Sequence, residues 1–268
     1  MSDRPDTGSV LDAILARTRE RVAAERERRP LDASHPAVTQ APPVRPFGEA
    51  LVRPGRVNVI AEHKRRSPSR GAIREDLVPA DVARGYEKAG AAAISVLTDE
   101  PFFGGRMTHL EEVRRATALP VLRKDFVLDP WQVWEARAGG ADAVLLIVAG
   151  LTAPELRSLL DVAGEAGLEV LVEVHDRSEL DRALAAGSRI VGVNNRDLKT
   201  LAVSLQTALS LAPFIPDDIV AVAESGIRSS ADLVRLRDAG FDAFLVGERL
   251  MAAPDPGEAL KQLLEEAS

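Results

Sequence analysis

Short apolar runs rich in β-branched residues recur along this chain from Arg56 onward, and eight of them can be counted. Their length suits buried parallel strands better than helices, because both faces of such strands are covered by apolar side chains. We therefore predict strands over Val57–Ala61, Ala92–Leu97, Pro120–Lys124, Ala143–Val148, Glu169–Val174, Ile190–Asn194, Ile219–Glu224 and Ala243–Gly247.

The segments between these runs place apolar residues three and four positions apart, which is the period of an amphipathic helix. Several end at glycine, the residue that most readily adopts the left-handed conformation of a helix C-cap, as at Ala89-Gly90 and Ala239-Gly240. The predicted helices are Asp81–Ala89, Thr108–Thr117, Pro130–Ala138, Ala153–Ala166, Ser178–Ala186, Val203–Leu211, Ser229–Ala239 and Gly257–Ala267.

Eight strand-then-helix units predict an α/β protein with a single (β/α)8 TIM barrel, whose active site lies at the carboxyl ends of the strands. A doubly wound open sheet is the alternative fold. It is disfavoured because no G-x-G-x-x-G turn follows the first strand, where a dinucleotide-binding loop would lie.

The first 47 residues precede this repeat and are predicted to form an N-terminal helix and a linker that cap the barrel. The helix is expected over Ser9–Arg29, with Ser9 and Asp12 resembling a capping box and a salt-bridged, solvated polar face. Five prolines interrupt residues 30–46, so we expect an extended linker there that lies over the barrel mouth. The catalytic domain is expected to span residues 48–268.

Polar and charged side chains accumulate where the predicted strands end. In the first strand, alternation places Glu62 and Lys64 on one face and His63 on the other. An acid and a base on one face are costly to bury unless they pair with each other or hold a polar ligand, so the alternatives are a structural ion pair and a site. The remaining strand-end residues are Ser95, Thr98, Lys124, Glu173, Asn194, Arg196, Glu224, Ser225, Gly247 and Glu248.

Two kinds of site are predicted from this set. The loops after the seventh and eighth strands commonly hold phosphate in such barrels, and they contain Ser225-Gly226 and Gly247-Glu248 here. Ser67 in the first loop offers a hydroxyl from the other side.

Lys124 and Glu173 have the inward parity of their strands, so they are predicted to face each other as general acid and base. Only five of the 34 basic residues are lysines, and lysine, unlike arginine, releases a proton when its pKa is lowered. An interior ion pair between Lys124 and Glu173 is the alternative reading.

Composition narrows the function classes further. Hydrophobic content of 46% and a charged fraction of 28% are ordinary for a globular protein, and a net charge of −7 argues against nucleic acid as a partner. The absence of cysteine excludes disulfides and thiolate chemistry, and the histidines show no metal-ligand spacing. With no membrane-spanning run or signal-peptide core in the sequence, we expect a cytoplasmic monomer or weak homo-oligomer acting on a phosphorylated small molecule.

Six segments in order along the chain resemble the motifs of the indole-3-glycerol phosphate synthase family. The resemblance implies ring closure of 1-(2-carboxyphenylamino)-1-deoxyribulose 5-phosphate to indole-3-glycerol phosphate without a cofactor, with loss of carbon dioxide and water. The segments are Glu62-His63-Lys64-Arg65-Arg66-Ser67-Pro68-Ser69, Leu97-Thr98-Asp99-Glu100-Pro101-Phe102-Phe103-Gly104-Gly105, Arg123-Lys124-Asp125-Phe126, Glu173-Val174-His175-Asp176, Asn194-Asn195-Arg196-Asp197-Leu198 and Glu224-Ser225-Gly226-Ile227.

The resemblance also implies individual roles. It places the general acid at Lys124 and the carboxylate base at Glu173, with Lys64 meeting the substrate carboxylate beside its partner Glu62. Phe103 would form part of an apolar wall for the aromatic ring. Substrate orientation falls to Asn194, Arg196 and Glu224, and phosphate binding to Ser67, Ser225, Gly226, Gly247 and Glu248.

Three other activities remain open. A phosphoribosyl isomerase barrel would share the phosphate loops, but the known version uses a cysteine, which this chain lacks. A Schiff-base aldolase would use Lys124 as a nucleophile. A non-catalytic barrel that binds a phosphorylated ligand would have no need of Lys124 opposite Glu173.

Overall fold

Residues 10–68, 70–198 and 200–267 are described by the computed structural model of this protein. Ser9, predicted to cap the first helix, lies outside them, as do Ser69 and Lys199. Within these ranges no helix is both long and apolar enough to cross a membrane.

Eight parallel strands close into a barrel in which each strand pairs with the next and the last pairs with the first. All eight predicted strands occur; the first runs on to His63 instead of ending at Ala61. The strands are β1 (Asn58–His63), β2 (Ala93–Leu97), β3 (Val121–Lys124), β4 (Ala143–Ile147), β5 (Glu169–Val174), β6 (Ile190–Asn194), β7 (Val220–Glu224) and β8 (Ala243–Val246).

Helices follow the strands and cover the outside of the barrel, as predicted. Short 3-10 turns occur at Val148–Gly150 and Ala212–Phe214, and a small hairpin pairs Arg66–Ser67 with Gly71–Ala72. The helices are α1 (Val10–Arg28), α2 (Pro36–Thr39), α3 (Phe47–Leu51), α4 (Pro79–Ala89), α5 (Glu100–Phe103), α6 (Met107–Ala116), α7 (Pro130–Ala138), α8 (Ala153–Glu165), α9 (Arg177–Ala185), α10 (Gln206–Leu211), α11 (Ser230–Asp238), α12 (Glu248–Met251) and α13 (Pro256–Ala267).

One predicted helix begins later than expected. The segment from Val203 was predicted to be helical, but Val203 bridges Arg196 in an antiparallel pair and the Ser204 N–H donates to the Asn195 carbonyl. These backbone bonds hold the chain extended, so α10 starts only at Gln206.

Two apolar layers result from the alternation of side chains along each strand. Val59 and Ala61 of β1 point outward into the layer shared with the helices, whereas Ile60 points into the barrel. The sequence pattern thus explains why both faces of the strands are apolar, and why the inward face is the one that delivers Glu62 to the strand end.

The proline-rich linker runs to the lower end of the barrel, so the expectation that it lies over the mouth is wrong. Phe47 and Leu51 of α3 are fully buried among residues at the amino ends of the strands, such as Ala93 and Ile190. The linker is also less extended than predicted, because His35 caps the short helix α2.

Upstream of the linker, α1 lies beside the loops at the upper rim. Leu15 packs close to Gly150, and Arg26 donates to Asp129 at 2.8 Å. The chain then follows α7 downward, with the Trp131 indole N–H donating to the Arg29 carbonyl. The N-terminal segment therefore runs along the barrel from its rim to its floor. The predicted boundary at residue 47 between this segment and a catalytic domain stays a prediction.

Candidate active site

A cavity of about 490 Å³ opens at the carboxyl end of the barrel. Every strand contributes to its lining, either with one of its last two residues or with the residues that follow it. These strand-end residues are Glu62, Lys64, Leu97, Lys124, Ile147, Glu173, Asn194, Ser225, Val246 and Gly247. The volume suits a small-molecule ligand.

Lys124 lies at the base of this cavity among three carboxylates. Its Nζ donates to Glu224 Oε2 at 2.7 Å, and it lies 3.8 Å from both Glu62 Oε2 and Glu173 Oε2. The three acids are at most 3% exposed, and they reach this point from β1, β5 and β7. A single ammonium group is therefore shared by three buried carboxylates.

The electrostatics of this cluster separate the pKa values of its members. Burial lowers the pKa of Lys124, but Glu224, Glu62 and Glu173 outweigh it and raise that pKa above its ordinary value. The lowered pKa that would let a lysine release its proton readily is therefore not found at Lys124 in this cluster.

The pKa values of the carboxylates also differ from one another. Burial raises the pKa of Glu224 to about 7, with the Glu173 carboxylate adding to the rise against the opposing Lys124 charge. For Glu173, the imidazolium of His175 and the ammonium of Lys124 outweigh the effect of burial and lower the pKa to about 2. Carboxyl groups with such different pKa values are typical of acid/base sites.

Glu62 also pairs with Lys64, as their shared face predicted. Lys64 Nζ lies 2.6 Å from Glu62 Oε1, and both side chains are largely buried at the cavity edge. Burial raises the pKa of Glu62, but Lys64 and then Lys124 lower it overall. Glu62 is thus an ionised bridge between the two lysines.

Two glycines make the space that these carboxylates occupy. A Cβ at Gly192 on β6 would lie 2.1 Å from Glu224 Oε1, and one at Gly247 would lie 2.1 Å from Glu62 Oε1. Gly247 was predicted to let a phosphate approach the backbone; its contact with Glu62 is a second reason for a glycine at this position.

Of the residues predicted to bind and orient the substrate, three line the cavity and one is buried behind it. Asn194, Arg196 and Phe103 line it, and the Asn194 side chain accepts from the Arg196 N–H at 3.0 Å. Glu224 is fully buried behind Lys124 and does not line the cavity. Its contact is with the lysine.

Both of the predicted phosphate loops line the cavity. Ser225 has a φ of 64° and Gly226 a φ of 80°, so the chain turns sharply where β7 ends. A Cβ at Gly226 would lie 2.7 Å from Val203 Cγ1, which leaves room only for glycine. A strained, non-glycine residue such as Ser225 is often found at a functional site.

Glu248 and Ser67 differ from the prediction in their surroundings. The Glu248 carboxylate lies 3.3 Å from Arg70 Nη1 and 3.6 Å from Arg196 Nη2, across the mouth. Ser67 is buried in the hairpin after β1 and is not part of the cavity lining. Of the five predicted phosphate residues, the other four line the cavity.

Comparison with known proteins identifies the family of this chain. The family model described as indole-3-glycerol phosphate synthase matches residues 11–263. A protein of that name from Aromatoleum aromaticum is 50% identical over 257 residues, covering 95% of this chain and 98% of its own. The chain belongs to the indole-3-glycerol phosphate synthase family. A relative of the same name from Pelodictyon phaeoclathratiforme is 52% identical over 240 residues, covering 87% and 94% of the two chains.

Solved structures of other proteins resemble this member of the synthase family in fold. Thiamine phosphate pyrophosphorylase from Pyrococcus furiosus matches with a TM-score of 0.60 at 18% identity, covering 83% of this chain and 98% of that one. At this identity the likeness concerns the barrel alone.

Several lining residues of this synthase-family cavity were missed in the sequence. Arg70 and Arg228 lie in loops and Arg249 in the short helix α12, where no strand pattern marks the direction of a side chain. Asp99, which caps α5, also reaches the cavity, and burial next to Asp125 raises its pKa to about 6. The sequence did contain a signal for Asp99 as a helix cap, because an aspartate followed by Glu-Pro indicates the start of a helix.

Proposed function

We propose that this chain catalyses the ring closure of 1-(2-carboxyphenylamino)-1-deoxyribulose 5-phosphate to indole-3-glycerol phosphate by general acid/base catalysis in the cavity at the barrel mouth. Carbon dioxide and water are released. The observation that carries the proposal is the Lys124 ammonium among Glu62, Glu173 and Glu224 at the base of a cavity lined on one side by phenylalanines.

Ring closure requires that a carbonyl oxygen be protonated while an aromatic carbon attacks the carbonyl carbon. Lys124 is the acid in this proposal, since three carboxylates keep its ammonium charged until the substrate binds. Glu173 is the base, since its lowered pKa keeps it ionised at neutral pH. The final dehydration uses an acid and a base on opposite sides of the new ring.

The remaining roles follow from charge and position in the cavity. Lys64, oriented by Glu62, meets the substrate carboxylate before it leaves as carbon dioxide. Phe103 and Phe126, with ring centroids 6.2 Å apart, flank the aromatic ring. Asn194 and Arg196 orient the substrate, and Glu224 acts on it through Lys124.

The phosphate is assigned to the loops after β7 and β8. The backbone at Ser225, Gly226, Gly247 and Glu248 would hold the anion, with Arg70 and Arg196 providing positive charge nearby. Ser67, in the hairpin after β1, is assigned to the phosphate as the family resemblance implies.

The setting of the enzyme belongs to the proposal as well. We assign it to the cytoplasm, as a monomer or weak homo-oligomer with no nucleic-acid or membrane partner. The net charge of −7 supports the exclusion of nucleic acid. Sedimentation velocity across a range of protein concentrations measures the oligomeric state directly.

The activity is tested by following indole fluorescence when purified protein meets the carboxyphenylamino-deoxyribulose phosphate without added metal or nucleotide. We expect product with the wild type, and a fall in kcat of roughly 10²–10⁴-fold for Lys124→Met and Glu173→Gln. Lys88→Met, which removes an exposed lysine on α4, is the matched control and should retain wild-type kcat.

A wild-type protein that forms no product would refute the proposed reaction. Borohydride trapping separates the aldolase alternative, because a Schiff base on Lys124 would be reduced to a stable covalent adduct. Full activity of Lys124→Met would instead refute the assignment of the acid.

A further inference from the structure

His175 lies between two carboxylates immediately after β5. Its Nδ1 is 3.0 Å from Glu179 Oε2, and its Nε2 is 3.2 Å from Glu173 Oε1. The ring is mostly buried, with 14% of the side chain exposed. This histidine does not belong to the set of residues proposed above for the reaction.

The position of the ring is set by the start of α9. Glu179 Oε2 accepts from the backbone N–H of His175 at 2.8 Å as well as facing Nδ1, so one oxygen holds both groups. Glu179 is itself held in the first turn of α9, where its N–H donates to the side chain of the N-cap residue Asp176. The imidazole therefore has a fixed position, with Nε2 close to Glu173 Oε1 but not hydrogen-bonded to it.

This geometry determines the charge of the ring. Ionised carboxylates only accept hydrogen bonds, so Nδ1 must carry a proton where it faces Glu179 Oε2 at 3.0 Å, while Nε2 faces Glu173 Oε1 as an ion pair without a hydrogen bond. Both nitrogens of His175 face carboxylate oxygens. Although burial lowers the pKa of His175, Glu173 and Glu179 outweigh it and raise that pKa to about 10.

The two oxygens of Glu173 are thus assigned to different cations. Oε1 faces His175, in an ion pair that lies off the line of the N–H bond, and Oε2 faces Lys124 at 3.8 Å. The other charged groups facing Glu173 are the carboxylates of Glu62 on β1 and Glu224 on β7, which favour its protonation. Without His175, Lys124 would be the one cation beside Glu173 among the described residues, since Lys64 pairs with Glu62.

We propose that His175, held by Glu179, is a positioning residue that keeps the Glu173 carboxylate ionised and turns its Oε2 toward the substrate. The inference rests on the proposed role of Glu173 as the base. Since the imidazolium already carries both protons, it does not accept the proton that Glu173 removes. Its contribution is charge and orientation.

The charge of His175 is measured by NMR of the four histidine rings, with His175→Gln identifying its signal. In the wild type we expect the ring to stay doubly protonated from pH 6 to pH 9. In Glu179→Gln it should titrate within that window, because one of its two carboxylates is gone. Glu165→Gln, which removes an exposed carboxylate at the end of α8, should leave the His175 signal unchanged. A singly protonated His175 in the wild type at pH 7 would overturn the inference.

The catalytic consequence is measured as the pH profile of kcat. His175→Gln should lower kcat at pH 6 by about tenfold or more, which is part of the rate enhancement that a general base supplies. The loss of kcat at pH 8 should be smaller. Removing a cation raises the pKa of Glu173, so the acid limb moves to higher pH. A loss of equal size at every pH would indicate structural damage only and would overturn the inference.

Failure of the proposed function would be visible separately. If the wild type forms no indole product, the reaction assignment falls, whereas the NMR experiment still reports the charge on His175. If the wild type is active and His175→Gln retains its full pH profile, only the inference about His175 falls.

Discussion

At the scale of single residues, the site depends on its glycines as much as on its charged side chains. Glu224 and Glu62 bring buried carboxylates to the Lys124 ammonium, and each occupies the space beside a glycine. Close-packed interiors respond to the addition of even one methyl group, so these glycines constrain the geometry of the charges.

Gly192→Ala is expected to displace Glu224 and to break its 2.7 Å bond to Lys124, since the new Cβ would lie 2.1 Å from Oε1. We expect kcat to fall about 10²-fold, the effect of an error of about 1 Å in a catalytic group. Gly164→Ala is the matched control. Nothing lies within 4 Å of a Cβ built at Gly164 in α8, so this change should retain activity and raise the free energy of unfolding by about 0.5–1 kcal/mol. Wild-type kcat in Gly192→Ala would contradict the geometric argument.

At the scale of elements, the linker is tied to the strands by a carboxylate at the floor of the barrel. Asp142, just before β4, accepts from the Arg45 N–H at 2.7 Å and from the Val121 N–H at 2.7 Å. Arg114 of α6 donates to the same carboxylate at 2.9 Å. One buried side chain therefore joins the linker, two strands and a helix.

Asp142→Asn should destabilise the protein by roughly 3 kcal/mol, because the buried Arg114 loses its partner and the new amide N–H group faces another donor. Chemical denaturation measures the free energy of unfolding. Asp161→Asn on the exposed face of α8 should change it little. Equal stability of the two variants would show that the floor does not depend on this carboxylate.

At the scale of the whole molecule, the layer between barrel and helices contains a buried ionisable pair. The His63 ring is 1% exposed and packs edge-on against His109, with 5.8 Å between the ring centroids. In the described part of the chain neither nitrogen of His63 has a hydrogen-bond partner. Burial, followed by the nearby His109 and Arg65, lowers the pKa of His63 to about 4, although Glu62 opposes the shift.

The stability of the molecule should consequently fall as the pH is lowered from about 6.5 toward 4. In that window the unfolded chain binds a proton at His63 that the folded protein does not, so roughly 3 kcal/mol is lost. His63→Phe should remove this part of the pH dependence, since phenylalanine cannot be protonated. Denaturation at pH 7 and pH 5 measures it; an identical loss in both proteins would contradict the role of His63.

Much of the fold could be predicted because its signals are local. The eight apolar runs predicted the eight strands, and the glycines after the helices, such as Gly90 and Gly240, have the left-handed φ expected of C-caps. Lys64 and Glu62, two residues apart, were expected to share a face and do pair.

Other features lay outside local patterns. The linker was placed at the wrong end of the barrel, because proline content says that a segment is extended and not where it packs. Glu224 was expected to touch the substrate, yet it is buried behind Lys124, since strand parity gives the face of a side chain and not its depth.

The sequence by itself determined the barrel class, the order of its strands and the residues at their carboxyl ends, because these follow from periodicities within a few residues. Only the tertiary structure decided which of those groups lie close enough to shift one another's pKa values. Lys124 and Glu224 are 100 positions apart, and closure of the barrel brings their atoms to 2.7 Å. Their pKa values and those of Glu173 and His175 depend on such distances and on burial, which no local pattern contains.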